Sequence, residues 1–200
     1  MAAGWIALSY MHISFMPAVG LSTAVTSIVG RHIGSGAHDI AAHRCHLGLK
    51  MAIAWMTLCG IFFFFFRHQL TGLFIGGDAT PEQEAEILRI GGQMMICIAF
   101  FQTLDAVGII YSGALKGAGD TFWPGMVSIL YSWVFIIGLG VMFVTWWPDL
   151  ESMGPWIAAG FYLVLLGVTM AWRFERGGWR KIRLLDDDGI PGDGPRRDLP

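Results

Sequence analysis

Apolar positions along this chain fall in long, nearly unbroken blocks separated by short polar stretches. Five blocks reach the ~20 mainly apolar residues a helix needs to cross a hydrocarbon core: about 4–30, 47–66, 87–115, 122–147 and 154–172. The pattern predicts an all-α membrane protein with five transmembrane helices. The fourth block carries no charged residue. At a rise of 1.5 Å per residue it would span about 39 Å, so it tilts or extends into the headgroups. Trp123 near its start and Trp146 and Trp147 at its end suit the interfacial aromatic belts. Pro124 and Pro155 stand in the first turns of their helices, where a missing N–H is tolerated. Asp120 and Thr121 are candidate caps just before. Pro17, inside the first block, predicts a kink.

Composition sharpens this picture. The 200 residues are 54% apolar and 14% charged, with a mean hydropathy of +0.57, whereas a soluble domain carries about 25% charge. A formal net charge of −2 supplies no basic footprint, which argues against a nucleic-acid partner. Cys45, Cys59 and Cys97 are isolated and form neither a CxxC pair nor a disulfide framework. They read as small membrane-embedded hydrophobes. No Lys or Arg precedes the first apolar run, so no cleavable signal peptide is visible.

Lys and Arg in short loops set orientation. Arg31, Arg44 and Lys50 follow the first span, Lys116 follows the third, and Arg173, Arg176, Arg180, Lys181 and Arg183 follow the last. In a five-span chain all of these fall on one face. The other face holds Arg67 and Arg89 with the acids Asp78, Glu82, Glu84, Glu86, Asp149 and Glu151. The count places the N-terminus outside and the C-terminus in the cytoplasm. Five spans beginning outside suggest that residue 1 is not where the parent architecture begins. Residues 1–185 read as part of a transmembrane lobe. Residues 186–200, DDDGIPGDGPRRDLP, have almost nothing to bury and predict a disordered cytoplasmic tail.

One acid breaks the third block. Asp105 lies near the middle of its span, about 5 Å from the bilayer centre by helix rise. An ionised carboxylate at that depth costs about 2.5–3.5 kcal/mol on insertion scales, and such residues face cavities and carry ions or protons. Burial disfavours the charged form until a cation arrives. At 100° per residue Gln102, Asp105, Gly108, Ser112 and Lys116 share a polar or small face within about 60° of one line. That face turns into the bundle. Gln102, one turn away, can donate to the carboxylate. The site predicted is therefore Asp105 with Gln102 and Ser112, while Lys116 snorkels at the cytoplasmic interface. A carboxylate merely bonded to a neighbouring helix is the structural alternative.

Other motifs carry less. His32, His38, His43 and His46 cluster in the first cytoplasmic loop, but their spacing fits no zinc template. His12, within the first span, is either a group that protonates in a cavity or a satisfied core histidine. GRHIGSGA, with Gly30, Gly34 and Gly36, follows a membrane helix and not a strand, so a phosphate cradle fails its context. A tight turn at the membrane face suffices. The run IFFFFFR at 61–67 packs or faces lipid. Met11, Met16, Met51, Met56, Met94 and Met95 can soften an apolar cavity or fill a bundle. No nucleophile–base pair or carboxylate pair calls for an enzyme or a cofactor.

Four stretches together resemble the C-terminal lobe of the multidrug and toxic compound extrusion (MATE) family. MPAVGLSTAVTSIVGRHIGSGAHDIAA (16–42) is similar to a helix-to-loop segment, with Arg31 where Gln is usual. LFIGGDATPEQEA (73–85) is similar to an extracellular loop. FQTLDAVGIIYSGALKGAGDTFWPG (101–125) resembles the tenth helix and its turn, with Lys116 where Arg is commoner. WRFERGGWRKIRL (172–184) resembles the basic tail. The resemblance implies a twelve-helix fold in two lobes, of which this chain supplies helices eight to twelve.

It also implies export of cationic or amphipathic organic compounds, such as drugs, driven by inward Na+ or H+ flow across a bacterial or archaeal plasma membrane. The implied partners are the bilayer, small organic cations and the missing N-terminal lobe. Asp105 matches the tenth-helix acid that binds a cation, so the resemblance implies that the coupling Na+ or H+, or the cationic substrate, is held there. Phe101 lacks the hydroxyl of a Tyr found one turn before that acid in some cation-coupled relatives. The acids of the first and seventh helices are not in this sequence. The alternatives are a flippase for lipid-linked sugars of the same superfamily and a non-transporting membrane fragment.

Overall fold

Four of the five rods in the computed structural model begin earlier and end later than the apolar blocks that announce them. Residues 2–73, 80–146 and 153–181 are described. Helix α1 spans Ala2–Gly34, α2 spans His38–Gly72 and α3 spans Pro81–Gly117. The fourth block forms α4 (Phe122–Tyr131), a π-helical stretch (Ser132–Leu139) and α5 (Gly140–Trp146) in one continuous rod. Helix α6 covers Met153–Glu175, and a short 3₁₀ turn follows at Gly178–Lys181. Five rods are long and apolar enough to cross a bilayer, and no strand occurs among the described residues. The predicted tail at 186–200, Trp147, Asp149, Glu151, Arg183 and part of the 73–85 motif lie outside the described residues.

The extra helix length has a simple cause. An apolar block measures the stretch that suits hydrocarbon, but helical hydrogen bonding continues into water wherever the polar flank has no breaker. The first connection is therefore only three residues, 35–37, turned by Gly36 at φ 74°. This corrects the histidine-rich loop. His32 ends α1, whereas His38, His43 and His46 ride on the first turns of α2. Helix α1 runs through Pro17 without a break.

The caps also differ from expectation. Thr121 precedes α4 but makes no side-chain capping bond. The Asp120 carboxylate accepts from Arg173 Nε of α6 at 2.8 Å, and a carboxylate engaged by a guanidinium is not the cap of its own helix.

Helix α3 is the hub, packed against α1, α2 and α6. Close approach is possible because small residues face the partners. A Cβ on Gly117 would run into the Thr26 carbonyl of α1, and Gly108 of α3 faces Gly167 of α6. Across the first contact Ser22 Oγ donates to the Ile109 carbonyl at 2.8 Å and Thr26 Oγ1 to the Gly113 carbonyl at 2.8 Å.

Two apolar clusters result. One, around Val29, Cys45, Ile110, Leu115, Met170 and Phe174, lies toward the α1–α2 turn. The other, around Phe63, Leu70, Met94, Met95 and Ile98, lies toward the opposite end.

Candidate functional site

A cavity of about 540 Å³ opens at the seam between these clusters. Its wall takes Met56 from the first cluster and Ile98 from the second, with Met11 and Phe15 of α1, Phe101, Gln102 and Asp105 of α3, Ile136 of the π-helical stretch, and Trp156 and Tyr162 of α6. The wall is almost wholly apolar and aromatic, with one carboxylate in it.

Asp105 is only partly exposed and has no hydrogen bond or ion pair among the described residues. No buried side-chain oxygen there lacks a partner, so the unpaired carboxylate oxygens are the ones that reach the open space. Tyr162 of α6 lines the same cavity. A negative group in an apolar, aromatic pocket attracts a cation electrostatically, and the ring faces add a cation–π contribution.

Gln102 shares the cavity but not the carboxylate. Its Nε2 donates to the Met56 carbonyl of α2 at 3.0 Å, and its Oε1 accepts from Ser14 Oγ of α1 at 3.0 Å. The same hydroxyl lies 2.9 Å from the Met11 carbonyl, and Trp55 Nε1 donates to the Ser14 carbonyl at 3.0 Å. The predicted donation from Gln102 to Asp105 is thus replaced by a tie among three helices. A buried amide must satisfy both of its ends, and the backbone and hydroxyl partners do so. Ser112 lies two turns beyond Asp105, half-buried and outside the cavity wall. His12 is exposed on α1 and does not line the cavity. Lys116 is exposed at the end of α3.

Sequence reasoning did not find Ser14, Trp156 or Tyr162. A serine inside a membrane span and aromatics with a polar edge are weak signals, because both occur throughout such helices without a ligand.

Fold and site together define an integral membrane protein of long α-helices with an acid-bearing cavity at mid-bundle. The chain belongs to the MatE family, whose family model matches residues 1–147. Among curated relatives, a probable multidrug resistance protein NorM of Pseudomonas syringae pv. tomato is 30% identical over 190 residues, covering 95% of this chain and 40% of the relative. A probable NorM of Rhodopseudomonas palustris is 30% identical over 177 residues, covering 88% and 36%. One from Thermotoga maritima is 26% identical over 185 residues, covering 92% and 38%. The chain therefore spans about two-fifths of the length of these relatives.

Proposed function

We propose that this chain forms part of a MATE-type secondary antiporter, with Asp105 as the carboxylate that holds the coupling cation or the cationic substrate. The observation that carries this reading is the carboxylate of Asp105, unpaired and facing a cavity of about 540 Å³. That volume falls in the ~300–1,000 Å³ range of small-molecule sites. Relatives named as multidrug resistance proteins support drugs as cargo, and a carboxylate in an apolar cavity suits a cationic or amphipathic compound and Na+ or H+ as the driving ion.

The exchange follows from electrostatics. One carboxylate in a low-dielectric pocket neutralises one positive charge at a time, so an entering Na+ or H+ releases an organic cation. Such a cycle needs neither a covalent intermediate nor a cofactor, and the function is transport and not catalysis. Because the relatives are more than twice as long, activity requires the rest of the two-lobe architecture. The Lys and Arg distribution supports a plasma-membrane topology with the N-terminal side outside and the α1–α2 and α3–α4 turns in the cytoplasm.

The test is Asp105→Asn in the full-length transporter, with efflux of a fluorescent organic cation followed in vesicles under an imposed ion gradient. The expected outcome is loss of gradient-driven efflux at an unchanged level of protein in the membrane. Efflux at the wild-type rate removes Asp105 from the mechanism.

A further inference from the structure

We propose that the groove between α1 and α2, on the side of their connecting turn, binds an anionic phospholipid with Arg31 and Arg44 on its phosphate. The groove, about 290 Å³, is separate from the Asp105 cavity and shares no wall residue with it. Leu21, Ala24 and Ile28 of α1 face Leu47 and Met51 of α2, two stripes at the three- and four-residue spacing of one helix face. From Leu21 to Arg31 the groove runs about 15 Å by helix rise. That is half of a ~30 Å hydrocarbon core, the depth of a single leaflet.

The polar groups gather at one end only. Arg31 and Arg44 line the mouth with His32. Neither guanidinium has a hydrogen bond, ion pair or ring contact among the described residues. The nearest acid along the chain, Asp39, is paired with Arg180 at 3.0 Å. Glu175 accepts from His46 and Tyr111, and Asp120 from Arg173. Two uncompensated guanidiniums at headgroup depth above a leaflet-long apolar trough match an acyl chain carrying an anionic head. Guanidinium forks suit phosphate geometry, and each basic residue near an anionic surface contributes roughly a fivefold affinity factor.

The experiment uses the whole chain purified in detergent. It is incubated with equal amounts of dioleoyl phosphatidylglycerol and dioleoyl phosphatidylcholine, which share acyl chains and differ in net charge. Retained lipids are counted by native mass spectrometry. The wild type is expected to retain phosphatidylglycerol preferentially. The double variant Arg31→Gln/Arg44→Gln is expected to lose about twenty-five-fold in that preference, one fivefold factor per arginine.

Lys50→Gln removes a cation that is exposed on α2 but not in the groove wall, and it should leave the preference unchanged. Ala24→Trp fills the trough while keeping both arginines, and it should abolish retention with helix content intact by circular dichroism. Equal retention of both lipids by the wild type would overturn the proposal, as would an unchanged preference in the double variant or in Ala24→Trp. If Ala24→Trp instead dissociates an oligomer and leaves lipid retention alone, the groove belongs to a second copy of the chain and the proposal fails.

Discussion

A side-chain amide has a donor end and an acceptor end, and Gln102 sets them on two different helices. It donates to the Met56 carbonyl of α2 and accepts from Ser14 of α1, both at 3.0 Å, while itself 4% exposed. Interhelical hydrogen bonds of this kind average about 0.6 kcal/mol inside membranes, with a maximum near 1.7. Gln102→Leu should therefore lower stability by about 0.6–1.7 kcal/mol in a mixed-micelle unfolding titration. Asp105→Asn should leave stability unchanged or slightly raised, because the carboxylate it replaces has no hydrogen-bond partner. The reverse order would mean that Asp105 is the tie and Gln102 the free group.

The contrast also separates what could be read at residue level from what could not. Asp105 was legible because one charge in an apolar block is costly wherever the helix lies. The partners of Gln102 were not, since they stand 46 and 88 residues away in sequence and only packing brings them close.

At the scale of elements, existence and order were legible from block length, but the ends were not. Hydropathy measures suitability for lipid, so it could not show α2 continuing from the 47–66 block to His38 and Gly72. The π-helical stretch Ser132–Leu139 was equally hidden. Its residues are the apolar and aromatic ones an α-helix would use, and the two forms differ only by one residue in hydrogen-bond register.

Small residues on α3 had a clearer meaning, which makes the α1–α3 contact testable. A methyl group on Gly117 would meet the Thr26 backbone carbonyl, an atom that can move only if α1 moves with it. Gly117→Ala should destabilise the bundle by about 1–3 kcal/mol, the usual range for overpacking. Gly125 of α4 has no heavy atom within 4 Å of where a Cβ would stand, so Gly125→Ala should be neutral or stabilising by up to about 1 kcal/mol. Thermal unfolding of the two variants in one detergent decides this. Equal melting temperatures would show that the close approach is not tight.

At the scale of the whole molecule, three ion pairs among the described residues lie at the end that carries the α1–α2 and α3–α4 turns. There the last turns of α6 and the 3₁₀ turn bind α2, α3 and the start of α4. Glu175 accepts from His46 of α2 at 2.7 Å and from Tyr111 of α3 at 2.8 Å. Arg173 pairs with Asp120 at 2.8 Å and lies 4.7 Å from the Trp123 ring centre. Trp179 stacks on Phe174. The basic tail entered the sequence reading only as a count of charge, which treats every Lys and Arg as a loop charge and cannot say which is engaged.

Burial ranks these ties. The Asp120 side chain is 8% exposed, while Glu175 and His46 are 53% and 43% exposed. Arg173→Ala leaves a buried acceptor without its charged donor, which costs about 1–3 kcal/mol. Glu175→Ala removes a pair that water already screens and should cost about 1 kcal/mol or less. Arg180→Ala, whose partner Asp39 is 92% exposed, should cost least. Unfolding midpoints for the three variants are therefore expected to fall in the order Arg180→Ala, Glu175→Ala, Arg173→Ala, from highest to lowest. If Glu175→Ala proves the most damaging, the joint between α6 and its neighbours runs through the His46–Glu175–Tyr111 cluster and not through Asp120, and burial of that single carboxylate is not what holds this end of the bundle closed.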